Sequence, residues 1–181
     1  MDLKRIGQRV SGIVLVASLL VHLGTFVPAI GLSVDTTWPL HLGAMASFVT
    51  LFIALARLKS AGGQSPGAGT RRERLEAQRA LRGRVIAATP PAVRVAVVLT
   101  CMYAANNFLA FMSELPGTPR EAHGGGYELH SHGTVIRAIT STEYARFRAL
   151  EVRGFSGHWL IFSLVPFVFF TWPWPRLQST E

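Results

Sequence analysis

The residues best suited to chemistry in this chain are its histidines. His130 and His132 stand two apart in Gly124–Gly133, GGGYELHSHG. In a strand, where side chains alternate with period two, both imidazoles would share one face. Imidazole suits zinc, copper, iron and nickel, so the pair reads as half of a metal site that His41 or His158 would complete. His22 lies inside an apolar segment and is the candidate ligand for haem b. Against both stands the plainer expectation that these imidazoles hydrogen-bond backbone or a neighbouring helix. A lone H-x-H lacks the cysteines or the H-E-x-x-H spacing that specify zinc. Bis-histidine haem needs a second histidine facing His22 at its depth, and none is evident. The expectation is no cofactor, with Zn or Cu and haem b as the alternatives.

Other chemistries find less support. No G-x-S-x-G elbow and no G-x-x-x-x-G-K-[ST] phosphate loop occurs. Ser156 and His158 are two apart at a helix start, where they do not face each other, and Ser156 reads as an N-cap. The single Cys101 falls inside an apolar segment and can form no intrachain disulfide. Catalysis is therefore not expected.

The elements that must position the histidines are set by hydropathy. Of 181 residues, 49% are hydrophobic and only 15% charged, against about 25% charged in an ordinary soluble domain. Four windows, about 10–32, 38–56, 95–113 and 155–174, approach the roughly 20 apolar residues needed to cross a bilayer. The expected fold is an all-α membrane protein with four transmembrane helices, a single integral domain over 1–181. The first window follows Lys4, Arg5 and Arg9 like a signal peptide, but it is too long for an h-region and lacks a convincing cleavage site.

Orientation follows the basic residues. Residues 57–94 carry nine Lys or Arg against Glu73 and Glu76, whereas 114–154 is balanced at five against five. Both termini and the 57–94 loop are therefore expected in the cytoplasm, with 114–154 as an extracytoplasmic cap. Trp38 and Trp159 on the outer side, and Trp172 and Trp174 on the inner, read as interface anchors. Within the basic loop, Ser60–Gly69 reads as a flexible linker. Thr70–Ala88 reads as an amphipathic helix whose Arg71, Arg72, Arg74, Arg79, Arg82 and Arg84 meet an anionic inner leaflet. That topology accounts for the net charge of +8, so nucleic acid is not an expected partner. Only two of eighteen basic residues are lysine, which points to a GC-rich bacterial source and an inner (plasma) membrane.

Span interiors hold no Asp, Glu, Lys or Arg, which removes the commonest signature of ion-coupled transport. Ser11, Ser18, His22 and Thr25 form one face of span one, and Gly43, Ser47, Thr50 and Ala54 one face of span two. These faces are expected to pack together, with His22 roughly 15 Å below the outer end of its helix. Tyr103, Asn106 and Asn107 place polar groups in span three. In the cap, Glu114–Gly126 is turn-rich, Tyr127–Thr140 has strand character with a hairpin turn at Gly133, and Thr140 with Glu143 forms a capping box for the next helix. Gly154 and Gly157 mark a bend into span four, and Pro166 a kink.

The stretch HGTVIRAITSTEYARFRALEVRGFSGHWLIF resembles a pattern in small uncharacterised bacterial four-span inner-membrane proteins with no assigned activity. There a Gly precedes a strand, a Thr-x-x-Glu-Tyr helix follows, and Gly-His-Trp opens the last span. The resemblance covers roughly Tyr127 to Phe162 and implies no reaction. The functional expectation is a non-catalytic accessory or assembly subunit beside other membrane proteins, with a metal- or haem-binding protein and a small transporter as alternatives.

Overall fold

The computed structural model describes residues 2–61 and 70–178. It contains α1 (Leu3–Gly24), a 3-10 turn at Pro28–Ile30, α2 (Val34–Ala61), α3 (Arg71–Ala88), α4 (Pro91–Glu114), β1 (Thr118–Glu121), β2 (Tyr127–Ser131), β3 (Thr134–Ile139), α5 (Ser141–Thr171) and α6 (Pro173–Gln178). Four helical stretches are long and apolar enough to cross a membrane: Leu3–Gly24, Val34–Leu58, Pro91–Glu114 and Ser141–Gln178. The linker expected at Ser60–Gly69 lies, over 62–69, outside the described residues.

Local chemistry sets the helix starts. At α3, Thr70 N donates to Glu73 Oε2 at 2.6 Å and Glu73 N to Thr70 Oγ1 at 3.3 Å. At α5 the expected box forms, with Thr140 N to Glu143 Oε2 at 2.9 Å and Glu143 N to Thr140 Oγ1 at 3.2 Å. Each box satisfies two N–H groups that a helix start leaves without partners. Pro91 opens α4, where its missing N–H would have been unpaired anyway.

The first helix departs from expectation. It ends at Gly24, not near Leu32, and takes in Lys4, Arg5 and Arg9 at its start. Pro28 opens a 3-10 turn closed by Gly31 at φ 70°, and proline cannot donate the bond that would continue α1. His22 therefore sits in the last turn of α1 and not deep below its end.

The chain forms two compact units, and each long helix contributes turns to both. One comprises the residues up to Leu15, Gly43–Leu99 and those from Phe162 onward. Its core is Leu51, Ala54, Phe169, Phe170, Trp174 and Leu177, and Leu81 and Val85 of α3 pack against it. Close helix approach depends on glycine here. A Cβ on Gly7 would lie 2.3 Å from the Phe170 ring, and one on Gly43 2.9 Å from Val14 Cγ2. Phe48 of α2 stacks on Phe162 of α5 at 5.0 Å.

The other unit comprises Val16–Leu42 and Thr100–Ile161. It holds an antiparallel sheet in the order β1-β2-β3. The segment expected only as turns supplies β1, pairing Thr118 with His130 and Glu121 with Tyr127. Pro119 is tolerated because β1 is an edge strand. Leu129, Ile139, Phe147 and Leu150 form the core beneath the sheet, and Tyr127 stacks on Tyr144 at 4.3 Å.

Candidate functional site

In this second unit His22 of α1 meets α4 and α5. Ser11, Ser18, His22 and Thr25 are all buried, so the predicted polar face of α1 does point inward. Its expected partner is wrong at the His22 end. The Nδ1 atom of His22 lies 2.7 Å from Ser156 Oγ on α5, and Nε2 lies 2.5 Å from the Tyr103 hydroxyl on α4. Meanwhile Ser47 and Thr50 of α2 bond their own helix, at Gly43 O (2.8 Å) and Ser47 O (2.7 Å).

Hydrogen directions follow from the acceptors. Ser156 Oγ is 3.1 Å from the Arg153 carbonyl, which only accepts. All three contacts carry a hydrogen when Tyr103 donates to Nε2, Nδ1–H donates to Ser156, and Ser156 donates to Arg153 O. The opposite tautomer leaves the last contact without one. Asn107 Nδ2 donates to the same carbonyl at 2.8 Å.

Arg153 ties the far end together. Its Nη2 donates to Thr25 O at 2.8 Å and Nε to Thr25 Oγ1 at 3.1 Å, while the Thr25 hydroxyl donates to His22 O at 2.6 Å. The Arg153 bond gives the Thr25 carbonyl, just past the last turn of α1, the partner that a helix end leaves it without. The guanidinium carbon also lies 4.0 Å from the centre of the Phe26 ring, a cation–π contact. Among the described residues Arg153 forms no ion pair. Glycines permit the approach of α4: a Cβ on Gly154 would lie 2.6 Å from Phe111 Cγ, and one on Gly157 2.8 Å from Asn107 Nδ2. These two positions are close-packing sites in a continuous helix, and Ser156 is interior to that helix, not its cap. An open cavity of about 300 Å³ lies against Arg153, Tyr103 and Asn107.

The outer histidines are not gathered. His130 Nε2 donates to Glu128 Oε2 at 3.1 Å on its own strand. His132 lies beyond the end of β2 in the hairpin turn, at φ 49° beside Gly133 at φ 85°, so the two imidazoles do not share a strand face. His41 accepts at Nδ1 from Trp159 Nε1 at 3.2 Å, and His158 Nδ1 donates to Gly154 O at 3.1 Å. Among the described residues no group of three or more His, Cys, Asp or Glu could hold a metal ion. Of the tryptophans, Trp38 is exposed, Trp172 half-buried, and Trp159 and Trp174 buried. Buried rings cannot anchor in surrounding lipid, which corrects the reading of those two. Arg71, Arg72, Arg74, Arg79, Arg82 and Arg84 are all exposed on α3.

In the sequence Arg153 stands only as one of the cap charges. The available signal was two interleaved pairs at i,i+3, Arg153 with Ser156 and Gly154 with Gly157, which put polar and small groups on adjoining faces of α5.

Fold and site together define an α-helical protein with four membrane-length helices among the described residues, a small sheet, and a polar brace around the buried His22 at the end of α1. No protein-family model, curated protein or solved structure matches the chain.

Proposed function

We propose that this chain is a four-span bacterial inner-membrane protein, both termini cytoplasmic, acting without catalysis as an accessory or assembly subunit. The observation that carries the reading is the open edge of the sheet. In β3 five of six residues are exposed, including Val135 at 48% and Ile136 at 49%. Its outer side pairs with no strand among the described residues. Unpaired edges accept a partner strand, and most proteins blunt or cover them. The brace supports the same reading, because the hydrogens of Tyr103, His22 and Ser156 are spent within it. No serine there retains a free base to activate it. On the other side of the membrane, the six exposed arginines of α3 meet anionic lipid.

The test is a photo-crosslinking residue at Val135 or Ile136 in intact cells. A single companion membrane protein, captured from β3 and absent when the residue sits at Arg79, is the expected result. A chain that crosslinks to nothing from β3, or that purifies with a Soret band or stoichiometric Zn or Cu, overturns the reading.

A further inference from the structure

We propose that the cavity beside Arg153 binds the anionic headgroup of a membrane lipid. Three observations converge. The first is charge: Arg153 has no carboxylate partner among the described residues. Only Nε and Nη2 of its guanidinium are engaged, both on Thr25, so Nη1 keeps its N–H groups for a ligand. At the edge of an apolar run and without a counter-ion, the guanidinium gains charge-assisted hydrogen bonds when it meets an anion, and its fork geometry matches phosphate oxygens.

The second observation is the shape and lining of the cavity. It is open, about 300 Å³, and Phe26, Ala110, Phe111 and Leu150 give it an apolar wall. Tyr103, Asn107 and Arg153 bring polar groups to the same space. One polar patch against an apolar wall fits an amphiphile better than a free ion. Glu114 also lines the cavity, but Arg146 Nη2 lies 3.7 Å from its Oε2. The three groups together leave one positive charge.

The third observation is level. Arg153 lies two residues before the apolar run that starts at Phe155, beside Thr25 just past the end of α1, and Glu114 closes α4. Arg153 and Glu114 thus mark positions where apolar helix gives way to polar chain, which is where lipid headgroups lie.

The inference rests on the membrane reading above, but the two fail separately. A chain recovered in the soluble fraction would overturn that reading. The lipid site is tested on the full chain in an uncharged maltoside detergent, by thermal unfolding and native mass spectrometry with added dioleoyl-phosphatidylglycerol or dioleoyl-phosphatidylcholine. Phosphatidylglycerol is expected to bind about tenfold tighter or more, the scale of a charged hydrogen bond. Ala110→Phe, which fills the cavity and leaves Arg153 in place, should abolish that preference. Arg153→Gln should abolish it as well, and Arg153→Lys should retain part of it. Should Arg153→Gln fail to fold, Ala110→Phe decides. Equal binding of the two lipids, an unchanged preference in Ala110→Phe, or equal stabilisation by inorganic phosphate alone would each overturn the proposal.

Discussion

Gly117 lies so close to the His130 carbonyl that a Cβ at Gly117 would stand 2.3 Å from that oxygen. The neighbour is backbone held in the β1–β2 ladder, so it cannot swing aside. Gly117→Ala should therefore destabilise the sheet by about 2 kcal/mol or more, as overpacking of a fixed neighbour does. Gly83, in the interior of α3, is the contrast: a Cβ there would meet nothing within 4 Å among the described residues. There alanine should stabilise by roughly 0.5–1 kcal/mol through helix propensity. Denaturant unfolding in detergent measures both, and opposite signs are expected.

The hairpin turn predicts a different ranking at His132. A two-residue loop with positive φ at both positions is the type I′ arrangement, and His132 holds φ 49° without being glycine. Asparagine or glycine there should be neutral or slightly stabilising. Valine, β-branched, should cost about 1–2 kcal/mol. If His132→Asn proved strongly destabilising, the imidazole would have a role that its turn geometry does not supply.

The buried hydroxyls of Ser18 and Ser156 differ in partnership, and so should their deletions. Ser18 Oγ is buried without a hydrogen-bond partner among the described residues, so Ser18→Ala should be neutral or stabilising by up to about 1 kcal/mol. Ser156→Ala strands the His22 Nδ1–H donor and should cost roughly 1–3 kcal/mol. A double-mutant cycle with Tyr103→Phe should show coupling, because both groups bond one imidazole.

Two carboxylates of α5 that precede its apolar run from Phe155 predict opposite pH dependence. Hydrogen bonding from Arg137, then from the Thr140 backbone, lowers Glu143 from 4.5 to about 2. Its contribution is complete above 4.5 and lost as pH falls toward 2. Burial raises Glu151 above 4.5, outweighing Arg148 nearby. The folded chain holds that proton more tightly, so stability declines as pH rises through the window just above 4.5. Unfolding curves across this range should lose the first slope in Glu143→Gln and the second in Glu151→Gln. An unchanged profile in both variants would refute the assignment.

What the sequence determined by itself is what short-range physics controls. Four apolar runs specify four long helices because backbone groups bond within each run. The box at Thr140 and Glu143 and the turn at Gly133 are legible because their partners lie within three residues. The helix over Thr70–Ala88 appears for the same reason. The end of α1 departs from hydropathy, because apolar residues continue past Thr25 while Pro28 opens a 3-10 turn.

Tertiary structure decided everything that joins distant segments. That His22 meets Tyr103 and Ser156, across 81 and 134 residues, follows from glycines that let α4 and α5 close together. Small residues mark where helices can approach without saying which helix will. Trp159 and Trp174 turn inward for the same reason: composition places an indole at a depth, but only packing chooses the side it faces. Arg153 looked like one more cap charge until the shortened α1 brought the Thr25 carbonyl within its reach.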